Sequence, residues 1–291
     1  MDKALAKIRV AKEIAAASLD LSNNQITDLT PLAELTNLQE LRLGGKFGSN
    51  QITDVSSLAG LTTLESLVVN WNNIPDITPL AGLSGLTFLS LHNNQVTDLT
   101  PLAELKNLAA LDLQSNDIAE LMPLSGLAEL DQLSLSNNQI TDLTPLARMT
   151  NLSELYLDNN RIDDVRPLAD LTELTHLRLD RNSIPDLVPL AGLAKLTHLG
   201  LGSNKISDIT PLANLANLQE LDLSNNKIPD LTPLAGVTYL ELLDLFGNQV
   251  SDVTPLTDLT NLKELGLRFN PIPDARQAIL KQALPNCKIT F

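Results

Sequence analysis

The sequence is poor in cysteine, in basic residues and in long apolar segments. Its single cysteine, Cys287, excludes an intrachain disulfide. No segment approaches the roughly 20 consecutive apolar residues that a membrane-spanning helix needs. The 20 Lys and Arg oppose 35 Asp and Glu, which gives a net charge of −15. This balance argues against nucleic acid and anionic membranes as partners, and it favours a partner with a basic patch.

The N-terminal segment does not have the pattern of a secretory leader, since Lys7, Arg9, Lys12 and Glu13 interrupt its apolar residues. We therefore expect a cytoplasmic protein from the chain as given, and a secreted or cell-surface protein if a leader has been removed. The sequence also shows no Gly-x4-Gly-Lys-Ser/Thr phosphate loop and no recognisable set of nucleophile, base and oxyanion donor. We expect neither a cofactor nor an enzymatic activity.

The dominant feature is an asparagine that recurs every 22 residues after a first interval of 26. A fixed period of this size indicates a solenoid of stacked repeats. The surrounding pattern is Leu-x-Leu-x-x-Asn-x-Ile, as in Leu111 to Ile118, and its Leu-x-Leu segments predict short parallel strands about 4.8 Å apart. The asparagine side chains are expected to form a buried ladder of hydrogen bonds. The ladder asparagines are Asn24, Asn50, Asn72, Asn94, Asn116, Asn138, Asn160, Asn182, Asn204, Asn226, Asn248 and Asn270.

The return half of each repeat is too short for a long helix. In the segment Thr30-Pro31-Leu32, Thr followed by Pro predicts a one-turn helix with Thr as its cap and Pro at its first position. An acidic residue such as Asp28 precedes the turn, where it can accept backbone N–H bonds. The convex side is therefore predicted to consist of short 3-10 or α turns.

Both ends of the solenoid are predicted to be capped, because a terminal repeat otherwise exposes its apolar side. The first helix places Leu5, Ile8 and Ala15 on one face, and its acidic residues Asp2 and Glu13 disfavour the alternative of a basic, partner-binding helix. Near the C-terminus we expect Cys287 to be a buried packing thiol. The predicted domains are an N-terminal helical cap at 1–17, twelve repeats at 18–273, and a C-terminal helix-strand cap at 274–291.

Two segments, Asn138 to Ala147 and Leu215 to Leu221, resemble the repeats of the bacterial internalins and of the eukaryotic phosphatase-regulating member of the same class. This resemblance implies an α/β solenoid, that is, a leucine-rich repeat horseshoe with a parallel concave β-sheet. It also implies protein binding, because internalins grip host receptors on the concave face. The chain departs from internalins in showing no signal peptide, wall-anchor motif or second β domain. Its N-terminal helix followed by Ser18 to Ser22 is more similar to cytoplasmic bacterial repeat proteins.

A first candidate binding patch lies near the N-terminus, where one repeat carries four extra residues in a glycine-rich loop. Exposed aromatic residues beside such a loop are typical of binding hot spots. An alternative, in which Phe47 only folds onto Trp71 to seal the bulge, stays equally open. We assign to this patch Lys46 and Phe47 in the loop, Val68, Asn70 and Trp71 on the next strand, and Phe88 and His92 on the strand after it.

A second candidate patch lies mid-chain, where Tyr and Arg are favoured anchors on a concave surface. One column of this patch offers two imidazoles and two carboxylates, a set from which zinc ligands could come. A cross-strand ladder of hydrogen bonds is the favoured interpretation of that column. The patch comprises Tyr156, His176, Arg178, Arg181 and His198, and the column comprises Glu154, His176, His198 and Glu220.

The C-terminal strands are predicted to form an acidic surface interrupted by aromatic and basic residues, which suits a basic protein or peptide. The alternative is solvated charge that keeps a bare sheet soluble. The acidic residues are Glu220, Asp222, Asp244 and Glu264, and the interrupting ones are Phe246, Arg268 and Phe269.

The sequence as a whole predicts a monomeric or weakly dimeric module that binds a protein or peptide on its concave face. A structural, self-assembling role is the alternative. A metal-dependent activity at His176 and His198 is the least favoured interpretation.

Overall fold

The structure is a computed structural model that describes residues 2–45 and 50–291. The predicted loop residues Lys46 and Phe47 lie outside the described residues. The chain divides into two compact units, one ending at Ile140 and the other beginning at Thr141. In the first unit, strands β1 to β6 pair in parallel and in chain order. They are β1 Ser18–Asp20, β2 Glu40–Arg42, β3 Ser66–Val68, β4 Phe88–Ser90, β5 Ala110–Asp112 and β6 Gln132–Ser134.

The second unit repeats this arrangement, with β7 to β13 also parallel and in chain order. Its strands are β7 Glu154–Tyr156, β8 His176–Arg178, β9 His198–Gly200, β10 Glu220–Asp222, β11 Leu242–Asp244, β12 Glu264–Gly266 and β13 Lys288–Thr290. Each unit therefore contains the parallel sheet that the Leu-x-Leu period predicts.

The strands alternate between core and surface. In β8, for example, Leu177 is fully buried while His176 and Arg178 on either side of it are not. The register places equivalent residues of successive repeats opposite each other, so that Leu177 faces Leu199. Since side chains in a strand point alternately to opposite faces, the first and third residues of each strand and the residue two positions further on share the face away from the core. We call this surface the open sheet face.

Short 3-10 turns form the return half of the repeats, as predicted. They are Thr30–Leu32, Ser56–Leu58, Thr78–Leu80, Thr100–Leu102 and Met122–Leu124 in the first unit, and Thr144–Leu146, Arg166–Leu168, Val188–Leu190, Thr210–Asn214, Thr232–Leu234 and Thr254–Leu256 in the second.

The side chain that caps each turn is not the one predicted. Thr30 is the first residue of its turn, and the Asp28 carboxylate accepts its backbone N–H at 2.8 Å. The Thr30 hydroxyl and this N–H hold the pKa of Asp28 below its usual value. The recurring aspartate therefore caps the turn in place of Thr, because it reaches the free N–H from two residues upstream.

The ladder asparagines join successive repeats through backbone groups that the strands leave unpaired. The Asn204 carbonyl oxygen accepts the Ile184 N–H at 3.0 Å, and its amide nitrogen donates to the carbonyls of Leu179 and Leu201 at 2.9 and 3.1 Å. Its exposed fraction is only 9%. The same three bonds recur around Asn226 and Asn248, which makes the ladder a structural element of the core.

Helices occupy the two ends of the chain. Helix α1, Asp2–Glu13, is shorter than predicted because Ala15 adopts a left-handed backbone with φ of 48°. Its buried face consists of Ala4, Ile8 and Ala11, and Ala15 lies beyond the helix and is exposed.

Helix α2, Asp274–Ala283, is followed by β13, Lys288–Thr290. Cys287 in the intervening turn is half-buried, whereas the sequence predicted a buried packing thiol. Burial nevertheless raises the pKa of its thiol above the ordinary value. Within the described part of the chain, no helix has the length and apolar character needed to cross a membrane.

Candidate protein-binding surface

The first patch brings Trp71 and His92 into contact. Their rings meet edge to face, with centroids 5.5 Å apart and planes inclined by 70°. The backbone N–H of Trp71 donates to the backbone carbonyl oxygen of His92 at 2.8 Å. Trp71 lies three residues beyond the end of β3 with φ of 57°, so it occupies the turn at the sheet edge and not the strand itself. Val68 is half-buried and Phe88 is 37% exposed, both on the open sheet face.

The second patch is organised by contacts among its own side chains. The Tyr156 hydroxyl donates to Glu154 at 2.8 Å, and burial followed by this hydrogen bond raises the pKa of Tyr156 to about 12. The rings of His176 and His198 stack face to face, with centroids 4.2 Å apart and planes inclined by 11°. Arg178 is exposed beside them on the open sheet face. These contacts fix the side chains of the patch relative to one another.

The histidine stack fits a hydrogen-bonded ladder better than a zinc site. Nδ1 of His176 lies 3.0 Å from the Thr175 hydroxyl, and Nδ1 of His198 lies 2.9 Å from the Thr197 hydroxyl. Ring nitrogens bind metals in the plane of the ring, and two parallel stacked rings direct their nitrogens side by side instead of toward one point. In the described residues, no group of three His, Cys, Asp or Glu is arranged to hold a metal ion.

Burial and nearby charge both act on the pKa of His198. Burial lowers the pKa of His198, and the neighbouring His176 and Arg178 lower it further. Glu220, whose carboxylate lies 3.6 Å from His198 Nε2, acts in the opposite direction.

Asp180, which the repeat pattern alone did not single out, lies two residues beyond β8 on the second unit's open sheet face. Its carboxylate accepts the Gly202 N–H at 2.6 Å and lies over Gly200, where a Cβ atom would collide with it. Burial, followed by a hydrogen bond shared with Asp158, raises the pKa of Asp180 to about 7. Aligning residues 22 positions apart would have revealed this region, because Gly200 and Gly202 replace larger residues in two columns of the open face.

The C-terminal strands combine aromatic and acidic side chains. Phe246 and Phe269 meet edge to face with centroids 4.9 Å apart, and Phe269 is 76% exposed. Arg268, which directly precedes Phe269 in the sequence, is exposed as well. A cavity of about 360 Å³ lies on the open sheet face, with Asp222, Asp244 and Gly266 among its lining residues.

A column of left-handed residues runs along the sheet edge, one position before the ladder asparagines. Most of these positions hold Asn, Ser or Gly, which tolerate positive φ. Trp71, Arg181 and Phe269 are the bulky exceptions, with φ between 56° and 58°. Arg181 therefore lies in this turn and not on a strand. Strained backbone at a large exposed side chain is more typical of a functional site than of a scaffold.

Known proteins share both the repeat and the fold. A profile described as two copies of leucine-rich repeats matches residues 18–60, 84–128, 128–170 and 194–236, and a second leucine-rich repeat profile matches residues 150–206. An internalin, InlF, from Listeria monocytogenes is 32% identical over 98% of this chain and 89% of its own, with a TM-score of 0.91. Internalin C2 from the same organism is 40% identical over 64% of this chain and 80% of its own, with a TM-score of 0.62.

A more distant likeness concerns the fold alone. The plant peptide hormone receptor RGFR1, solved in complex with RGF2, is 24% identical over 90% of this chain and 45% of its own, with a TM-score of 0.76. No curated protein matches the chain significantly.

Proposed function

The chain belongs to the internalin-like class of the leucine-rich repeat family, and from this membership we propose that it is a recognition module that binds a protein or peptide on its open sheet face. The observation that carries the proposal is the contrast between core and face in the second unit. The core repeats a buried leucine at the centre of every strand from β7 to β12, whereas the face gathers Tyr156, His176, Arg178 and His198. Packing explains the first pattern but does not require the second.

The chemistry of this patch suits binding. Tyr and Arg are over-represented among residues that dominate protein interfaces. The hydrogen bond from Tyr156 to Glu154 and the stacking of the two histidines fix side chains that would otherwise lose rotamer freedom on association. A pre-ordered surface of this kind binds with a smaller entropic penalty than a mobile one.

Recognition without catalysis is the function that this arrangement favours. Acid-base chemistry requires a side chain whose proton can be transferred to a bound substrate. The two imidazoles instead stack on each other, and each directs Nδ1 to a threonine hydroxyl. We propose that they form a contact surface and act on no bond.

The test compares capture of partners by the wild-type chain and by a Tyr156→Ala/Arg178→Ala variant. The proteins would be immobilised, incubated with lysate and with secreted material of the source cell, and analysed by mass spectrometry. Arg166→Ala/Tyr239→Ala is the matched control, because it removes the same two residue types from exposed positions off the open face. Circular dichroism would verify that all three proteins are folded.

We expect a partner that the wild type and the control retain and that the face variant binds at least tenfold more weakly, the effect of losing hot-spot residues. Equal capture by the face variant would contradict the proposed surface. A wild-type chain that captures nothing and self-associates instead would favour the structural alternative.

A further inference from the structure

The cavity on the second unit's open face exists because two strands there carry glycine. Gly200 in β9 and Gly266 in β12 occupy the column in which the strands between them carry Asp222 and Asp244. A Cβ atom at Gly266 would lie 2.5 Å from an Asp244 carboxylate oxygen, so glycine leaves room for that carboxylate. The resulting volume of about 360 Å³ lies within the range of about 300–1,000 Å³ that is typical of ligand sites.

Two aspartates face each other across adjacent strands in this cavity. Asp222 and Asp244 are direct register partners, which places like charges about 5 Å apart, an unfavourable pairing. Each accepts a single backbone N–H, from Ser224 at 2.8 Å and from Phe246 at 2.9 Å. Among the described residues, no Lys, Arg or His lies within ion-pair distance of either one.

The other carboxylates of the cavity lie beside basic side chains. Glu264 lies 3.2 Å from the Lys288 ammonium, and Glu220 lies 3.6 Å from the His198 imidazole. Asp222 and Asp244 differ from them in lacking such a neighbour among the described residues. Burial raises the pKa of Asp244, and repulsion from Asp222 acts in the same direction. A cation placed between the two carboxylates would relieve this repulsion.

An apolar contact surface adjoins the acidic pair. Phe246 lies in the turn two residues beyond Asp244, a separation of at most about 7 Å along the chain. Its ring contacts Phe269, which remains 76% exposed although it adopts a left-handed backbone. Acidic and apolar contacts thus lie one dipeptide repeat apart, which is the spacing of same-face side chains in an extended peptide.

We propose that this cavity receives the guanidinium of an arginine side chain from an extended segment of the partner, and that an apolar residue two positions away packs on Phe246 and Phe269. The proposal rests on the proposed recognition function and names the chemistry of the partner. Arginine fits better than lysine, because its planar group donates several hydrogen bonds and can bridge two carboxylates. The excess of negative charge along this face favours such a partner over an acidic one.

The probe is the peptide acetyl-Phe-Gly-Arg-amide, and its matched control is acetyl-Phe-Gly-citrulline-amide, which has nearly the same shape but no charge. Each would be titrated into the ¹⁵N-labelled full chain at millimolar concentration. The backbone amides of Gly200, Gly266 and Gly247 report on the cavity and on the aromatic pair. We expect saturable shifts at these amides with the arginine peptide and at least tenfold weaker binding of the citrulline peptide.

Two protein variants test the residues involved. Asp222→Asn/Asp244→Asn should weaken the arginine peptide at least tenfold and, by removing like-charge repulsion, should not destabilise the fold. Asp170→Asn/Asp258→Asn removes the same net charge from exposed turn positions and should leave binding unchanged.

Equal binding of the two peptides, shifts confined to other surfaces, or absence of binding would each overturn the cavity assignment. The recognition proposal would survive any of these results if Tyr156→Ala/Arg178→Ala still loses a partner that the wild type captures. The two proposals can therefore fail separately.

Discussion

Replacing Asn204 by alanine tests the ladder at a position where every affected bond is known. The substitution removes the acceptor of the Ile184 N–H and one donor to each of the Leu179 and Leu201 carbonyls. The two carbonyls each keep a second donor, from Asn182 at 3.0 Å and from Asn226 at 2.9 Å. The main loss therefore falls on the Ile184 amide, which is left buried without an acceptor.

The magnitude follows from that single orphaned group. A buried unsatisfied N–H costs about 1–3 kcal/mol, and the two weakened carbonyls add a smaller amount. We expect Asn204→Ala to lower the free energy of unfolding by about 2–3 kcal/mol. Asn24→Ala is the matched control, because Asn24 is half-exposed, begins the ladder and donates to the Ser22 carbonyl at 2.7 Å. Its removal should cost less than about 1 kcal/mol.

The assay combines urea unfolding, followed by far-ultraviolet circular dichroism, with hydrogen exchange resolved by residue. The Ile184 amide should lose protection in Asn204→Ala, while the Ile206 amide, which donates to Asn226, should be affected less. Equal destabilisation by Asn204→Ala and Asn24→Ala would refute the reasoning. Unchanged exchange at Ile184 would refute it independently of the global stability.

Two further substitutions test the open face and its edge. Asp180→Asn should stabilise the fold by about 2 kcal/mol at pH 8, allowing for partial solvent screening, and should lose this gain as the pH falls toward 4. The sign follows because the folded pKa of about 7 lies above the ordinary value of 3.8, so ionisation of Asp180 destabilises the folded state; a gain independent of pH would contradict the assignment. Phe269→Asn should raise the unfolding free energy by about 1 kcal/mol in thermal or urea unfolding, because asparagine tolerates the positive φ that strains an exposed phenylalanine; a loss of stability would show that the contact with Phe246 outweighs the strain.

The repeat period was sufficient to predict the strands, because it reports a requirement that every repeat must meet. A leucine such as Leu111 is buried at the centre of its strand. Aspartate or glycine, which the open sheet face accepts, would disrupt the core at that position. The ends were predicted less well. Helix α1 ends at Glu13, and the left-handed backbone of Ala15 depends on how the chain enters β1, which the repeat pattern does not determine.

For the candidate site as well, the repeat register predicts which residues are neighbours but not the contacts between their side chains. The 22-residue register predicts that His176 and His198 are neighbours, and they are, but the face-to-face stacking depends on side-chain rotamers and on the threonine that precedes each of them. The position of Trp71 could have been predicted from the register alone, since Trp71 aligns with Asn93 in the left-handed column. Gly200 could have been predicted too, as one of two glycines in a column of otherwise larger residues.

The departures from the repeat are informative because the scaffold does not require them. A solenoid is stabilised by nearest-neighbour contacts, so a residue on the open face of one repeat can change while the core of the next stays intact. Selection for stability alone would remove a strained Phe269 and would separate Asp222 from Asp244, because both features are unfavourable in the isolated chain. Asp222 and Asp244 line one cavity of the second unit, and Phe269 contacts Phe246, which lies two residues beyond Asp244. Their proximity is the physical reason to locate partner recognition there, since a bound cationic and apolar segment would compensate the charge repulsion and cover the exposed ring together.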